Sequence, residues 1–332
     1  MTTSCLIRGL GHCLPETRLT NADLERMVDT NDEWITSRTG IKERRIAAKG
    51  ETCVSLSHQA ALNALKDAGM KPEELTHILV ATFSADAIIP SAACMLEDRL
   101  GLTGRAAMDI SAACSGFLYA LETARAIVAL HPEAKVLVTA TDIVSSRIDY
   151  TDRGICVLFG DGAGAAIISG DTPDAPTGCP RVLDVLLASD GSLGGLLTIK
   201  GGGSGTPYKP GGTVGRDFCV EMNGREVFKY AVRAMTSICK EVLAKNGLTK
   251  EAVDVFIPHQ ANLRIIDAVG SRMEMPAEKV FTNVQKYGNT SAASVIIALS
   301  EARAEGFIKD NDLVLLGTFG GGFTWGSALV RF

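Results

Sequence analysis

The chain has 332 residues, of which 46% are hydrophobic and 21% charged, and its mean hydropathy is +0.17. These proportions describe a globular protein with apolar surface enough for one large or two medium domains. A net charge of −5 argues against general nucleic-acid binding but leaves room for a local basic patch. Nine cysteines with no CxxC pair and five dispersed histidines give a metal site little support. Met1 to Ser4 show no basic region leading into an apolar run, so no secretory signal is expected. No stretch reads as a membrane span, and free thiols in a reducing cytoplasm are the simplest expectation.

In chain order, Cys5 to Gly11 reads as a strand. Asn21-Ala22-Asp23-Leu24 and Asn31-Asp32-Glu33-Trp34-Ile35 each open a short helix. Trp34 then stands among Arg38, Lys42, Arg44 and Arg45. That grouping suits base stacking with phosphate-binding arginines, and equally a Trp packed under a solvated charged segment. Leu56 to Ala68 is an amphipathic helix stopped by Gly69. His77 to Thr82 is an apolar strand, and Pro90 to Leu100 a helix. Ala106, Ala107, Met108 and Ile110 predict a short buried strand, and Phe117, Leu118, Leu121, Ala124 and Val128 recur at helical spacing.

Cys114 therefore falls on a tight strand-to-helix turn. Unpaired N–H groups and the helix dipole there favour a thiolate, and Ala112, Ala113, Ser115 and Gly116 leave the sulfur approachable. This is the logic of a nucleophile elbow. A buried structural cysteine is the alternative at this point.

The two parts of the chain resemble each other at one offset. Ala64–Gly69 matches Val242–Gly247, Phe117–Leu121 matches Val295–Leu299, and Lys135–Val138 matches Leu313–Leu316, each 178 residues apart. One half then runs to about Gly170, and the other begins near Arg181 after a turn-rich linker, residues 171–180. At this offset Cys114 corresponds to Ala292 and Ser111 to Asn289. The second half thus has a matching elbow, Tyr287 to Ala292, that presents an amide. Two halves facing each other would bring both elbows to one pocket.

Gly160 to Ala166 lacks the G-x-G-x-x-G spacing of a dinucleotide loop and is expected to be a tight turn between two strands. Residues 189–215 hold ten glycines and read as a surface loop or hairpin. Val255 to Pro258 is a strand that delivers His259-Gln260-Ala261-Asn262. Val314 to Phe319 is a strand that runs into Gly320-Gly321-Gly322, where backbone N–H groups can approach a ligand closely.

Taken together, Asp109–Phe117, Phe159–Ala166, Ile257–Asn262, Gly288–Ser294 and Gly320–Ser327 resemble β-ketoacyl-acyl carrier protein synthase III, the priming condensing enzyme of bacterial fatty-acid synthesis. The resemblance spans Ile7 to Phe332. It implies an α/β fold of thiolase type, five αβαβα layers built from duplicated halves, 1–170 and 181–332. It implies a Cys–His–Asn triad at Cys114, His259 and Asn289, with an oxyanion hole at Cys114 and Gly321. Coenzyme A would lie against Thr30, Trp34, Arg38, Arg153, Phe228 and Asn262. Lys229, Arg264 and Arg272 match positions that dock an acidic acyl carrier protein. Phe319 would line the acyl pocket, and Ile89 would reach across a homodimer into the partner's. No cofactor is implied, because acyl-coenzyme A is a substrate. The glycine-rich segment is longer than in several family members. A related Cys–His–Asn enzyme with another acceptor and a silent thiolase-fold subunit are the competing readings.

Overall fold

The computed structural model describes residues 4–173 and 175–332; the N-terminal Met1-Thr2-Thr3 and one position of the linker lie outside the described residues. The first half contains β1 (Cys5–Cys13), β2 (Arg18–Thr20), α1 (Asn21–Glu25), α2 (Asp32–Thr39), β3 (Glu43–Arg45), α3 (Cys53–Ala68) and β4 (His77–Ala81). It continues through α4 (Ala92–Arg99), β5 (Ala106–Ile110), α5 (Gly116–Leu130), β6 (Lys135–Asp142) and β7 (Gly162–Gly170). The second contains β8 (Arg181–Ser189), β9 (Leu197–Thr198), β10 (Glu221–Met222), α6 (Gly224–Lys245), β11 (Val255–Pro258) and α7 (Leu263–Met273). Then come α8 (Val284–Tyr287), α9 (Ala293–Ala304), β12 (Leu313–Gly320) and β13 (Thr324–Arg331).

Nine strands form one sheet in the order β11-β12-β13-β8-β1-β7-β6-β4-β5. Within this sheet the halves join where β1 meets β8, at Cys5↔Val182 and Leu6↔Arg181. The sheet wraps round a central layer of α5 and α9, whose apolar faces share a core with residues from both half-sheets. Outside the first half-sheet lie α3 and α4, and outside the second lie α6 and α7. That is helix, sheet, helix, sheet, helix. At offset 178, β6 maps onto β12 end to end.

Local chemistry sets the element ends. Thr52 caps α3 through a reciprocal bond with Ser55, so the helix begins before Leu56; Gly69 ends it in the left-handed conformation at φ 63°. The turn into α5 has no side-chain cap.

Several expectations need correction. β5 is the edge strand of the sheet, and Met108 on it is 43% exposed, so this strand is not buried within the single chain. Gly160 to Ala166 is not a turn between strands: from Gly162 onward it is β7 itself, wholly buried, and the residues before it bridge to Asn289 through Phe159. Ala113–Leu130 is in fact long and apolar enough to cross a membrane, with a mean hydropathy of 1.3; here it contains the central helix α5. Residues 189–215 contain a short 3-10 helix and β9, which pairs with β10 rather than closing a hairpin on itself.

Candidate active site

Two turns build the site. Ala113 has φ 45° and Ser291 has φ 53°, 178 residues apart, so each half folds its elbow through a left-handed non-glycine residue. That conformation costs about 1–3 kcal/mol and persists where the surroundings enforce it. The surroundings here come from the opposite half. The end of β12 packs on the first elbow so closely that a Cβ on Gly320 would lie 2.6 Å from the Cys114 nitrogen. The end of β6 meets the second elbow, where Asp142 accepts the Ala292 N–H at 3.3 Å.

Cys114, His259 and Asn289 line a single cavity of about 1300 Å³, together with Phe319 and Gly320 to Gly322. Cys114 is buried, and its Sγ lies 3.4 Å from Ser291 Oγ. Burial pushes its thiol up to about 12, outweighing the Ser291 hydrogen bond, and the nearby Asp142 charge raises it further. Desolvation thus opposes the thiolate that the helix terminus favours.

His259 follows β11, and its backbone N–H donates to Gly317 O on β12 at 2.7 Å. Its Nδ1 is 2.5 Å from Ser294 Oγ, which leaves Nε2 as the ring nitrogen for the cavity. Burial pushes this imidazole down to about 3, so it is neutral at neutral pH. Asn289 is held from both sides, its N–H donating to Leu158 O at 2.8 Å and its C=O accepting from Gly160 N–H. Its Oδ1 accepts the Ser291 N–H at 2.9 Å, so the side-chain NH₂ is the part left to donate.

At the mouth, Arg38 and Arg153 place their guanidinium groups 4.8 and 5.4 Å from the Trp34 ring centroid. Trp34, Arg38, Phe228, Asn262 and Arg264 line the cavity. Arg153 bonds Asp29 just outside it, and the Thr30 hydroxyl nearby is buried without a partner among the described residues. Lys229 and Arg272 are exposed and lie outside the lining. Ile89 does not enter the cavity of its own chain and is 85% exposed.

Sequence reasoning missed Ser291 and Ser294 as partners of Cys114 and His259. The signal for Ser291 was present, since it stands 178 residues after Ala113. The glycine-rich segment also supplies Tyr208 to the cavity wall, and Phe218 follows just beyond it, the two rings meeting edge-on at 6.5 Å. That segment has a place in the site which composition alone did not reveal.

Models of the 3-oxoacyl-[acyl-carrier-protein] synthase III family match residues 108–191, and those of its C-terminal part match residues 243–332. The chain is 56% identical over 331 residues to the β-ketoacyl-[acyl-carrier-protein] synthase III of Oleidesulfovibrio alaskensis, covering all of both chains. It is 54% identical to that of Nitratidesulfovibrio vulgaris, again over both full lengths. Among solved structures, 3-oxoacyl-[acyl-carrier-protein] synthase III from Aquifex aeolicus superposes with a TM-score of 0.89 at 46% identity, covering 99% of this chain and 100% of the other. Paired elbows on a five-layered duplicated fold, with full-length identity of this degree, show that the chain belongs to the β-ketoacyl-acyl carrier protein synthase III family of thiolase-fold acyltransferases.

Proposed function

We propose that Cys114 accepts a short acyl group from acyl-coenzyme A and that His259 and Asn289 then drive decarboxylation of malonyl-acyl carrier protein. The enolate formed attacks the acyl-cysteine, giving a β-ketoacyl-acyl carrier protein and starting fatty-acid synthesis in the cytoplasm. The observation that carries this reading is the convergence of both elbows on one cavity. Cys114 and Gly321 N–H groups receive the oxyanion of acyl transfer. The Ser294 hydroxyl sets a Nε2–H tautomer on His259, so that Nε2 and the Asn289 amide both donate to the enolate oxygen. Each such donor contributes about 3–4 kcal/mol of transition-state stabilisation. No metal or redox cofactor is needed, since carbon dioxide loss supplies the carbanion.

Coenzyme A enters along Trp34, with Arg38 and Arg153 above the ring and Thr30, Phe228 and Asn262 nearby. Exposed Lys229, Arg264 and Arg272 receive the acidic carrier protein, a local basic surface on a chain of net charge −5. The active form is a homodimer of duplicated halves, 1–170 and 181–332. The unpaired edge of β5 and the exposed Ile88 and Ile89, at 91% and 85%, support that assembly, in which Ile89 reaches the partner's acyl pocket.

The test is incubation with a panel of acyl-coenzymes A, reading the mass of the Cys114 peptide. One acyl group on Cys114 and none on the Cys114→Ala protein is the expected result; label on another cysteine would refute the assignment. Condensation with malonyl-acyl carrier protein and not with free malonyl-coenzyme A would separate this reaction from that of a related enzyme with another acceptor.

A further inference from the structure

Asp142 ends β6 and is wholly buried, yet it makes no ion pair among the described residues. Its Oδ1 accepts from the Phe83 N–H at 2.9 Å and from the Thr82 and Ser84 hydroxyls at 3.0 Å each. Its Oδ2 accepts the Ala292 N–H at 3.3 Å, which sets the carboxyl against the elbow that carries Ser291. Ser291 Oγ in turn lies 3.4 Å from Cys114 Sγ. Thiol, hydroxyl and carboxyl are thus neighbours where the two elbows meet. A hydroxyl has one proton and spare lone pairs. Donating that proton to Asp142 leaves its oxygen free to accept the S–H. A buried charge without a cation costs stability, which is the cost functional sites characteristically carry.

We propose that Ser291 takes the Cys114 proton during acyl transfer and passes its own to Asp142, which holds a proton until condensation frees the sulfur. Ser291 touches the reacting sulfur, and Asp142 is a positioning residue that acts through it. In the first half-reaction the S–H bond breaks as Sγ bonds the thioester carbon. The Cys114 proton moves to Ser291 Oγ, and the Ser291 proton moves to the Asp142 carboxylate. The C–S bond to coenzyme A breaks, and the leaving thiolate takes a proton from water at the cavity mouth. In the second, the carbanion attacks the acyl carbon, Sγ leaves with its electron pair, and the proton returns from Asp142 through Ser291. One solvent proton is consumed overall, on the released coenzyme A thiol. The relay serves acyl transfer, while His259 and Asn289 serve decarboxylation. It rests on the reading of Cys114 as nucleophile.

Burial holds Asp142 up at about 6, so it is ionised and ready to accept at neutral pH. The titratable groups facing it are Cys114 and, on α3, Cys53, whose Sγ is 3.5 Å from Thr82 Oγ1. Burial pushes both thiols up to about 12, so neither titrates near 6. Asp86 and Asp109 act on Cys53 beyond it, and His259 stays neutral.

The experiment follows single-turnover transfer of labelled acetyl from acetyl-coenzyme A to Cys114 across the acid-to-neutral range. Carbon dioxide release from labelled malonyl thioester is measured in parallel. In the native protein the acyl-transfer rate should rise through an inflection near pH 6, where Asp142 ionises. In Asp142→Asn the inflection should vanish, and acyl transfer at neutral pH should fall about tenfold or more beyond any fall in decarboxylation. Ser291→Ala should behave alike, and Ser291→Thr should recover much of the rate. Unchanged acyl transfer with an unchanged pH profile in Asp142→Asn and Ser291→Ala overturns the relay, as does equal loss of both activities in folded protein. A native protein that places no label on Cys114 would instead overturn the nucleophile assignment itself.

Discussion

At neutral pH the thiol of Cys114 and the imidazole of His259 face one cavity uncharged, because burial has moved them in opposite directions. The roles should separate on mutation. Asn289→Ala should keep most acyl transfer to Cys114 while decarboxylation falls about a hundredfold or more, the usual effect of losing one oxyanion donor. His259→Ala should lose decarboxylation as well. Retained label on protein and lost carbon dioxide release are the two readouts, and equal loss in Asn289→Ala would show that the amide is not a dedicated enolate donor. The imidazole also makes a statement about stability. Between about pH 3 and 6.5 an unfolded His259 binds a proton that the folded one does not. Its contribution is therefore complete above 6.5 and lost as pH falls toward 3. Urea denaturation at pH 7 and pH 5 should show a smaller acid-side loss in His259→Gln than in the native chain, by about 2 kcal/mol. Cys114 and His259 were legible in sequence because each sits in a short motif after an apolar strand, and Asn289 because the 178-residue offset puts it in the matching elbow. Asp142 and Ser294 were not, because only tertiary packing makes them partners of those groups.

Helices and strands meet here through backbone contact as much as through side chains. A Cβ on Gly11 of β1 would lie 2.4 Å from the Ala64 backbone nitrogen, so α3 rests directly on the strand. Gly11→Ala should lever α3 off β1 and cost about 1–3 kcal/mol or more, read as a lower midpoint in urea at unchanged slope. The periodicity of α3 and α5 was plain in the sequence, since each packs an apolar face on the sheet, and the flanking strands showed as apolar runs because both their faces are buried. The edge position of β5 was not: Ala106, Ala107 and Met108 read as buried because apolar residues mark an interface between chains and a core alike. The residues Gly162 to Ala166 misled for the opposite reason. Small residues look like a turn, but β7 needs them so that α9 can lie close, and a Cβ on Gly164 would come within 2.3 Å of Ile296.

On the scale of the whole molecule, the sheet ends at β5 in an open edge that carries the exposed Met108, and Ile88 and Ile89 are exposed as well. On the proposal that the active form is a homodimer joined at this edge, Met108→Lys should put a charge there and give a monomer in light scattering, with loss of condensation. A Met108→Lys protein that stays dimeric would place the interface elsewhere. Trp34 lies on the cavity wall and not on β5, and Trp34→Ala should weaken coenzyme A binding, measured by calorimetry, without changing the oligomeric state. The loss expected is about 1–3 kcal/mol, typical of one base-stacking aromatic.

Each elbow is completed by the strand end of the opposite half, Gly320 against Cys114 and Asp142 against Ser291 and Ala292. A site built crosswise in this way has a bearing on its own ancestry. A gene encoding one half alone could have made such a centre only by pairing two identical chains, each finishing the other's turn. If the halves descend from one such unit, fusion would have freed the two copies to diverge, leaving a sulfur in one elbow and Ala292 beside an amide in the other.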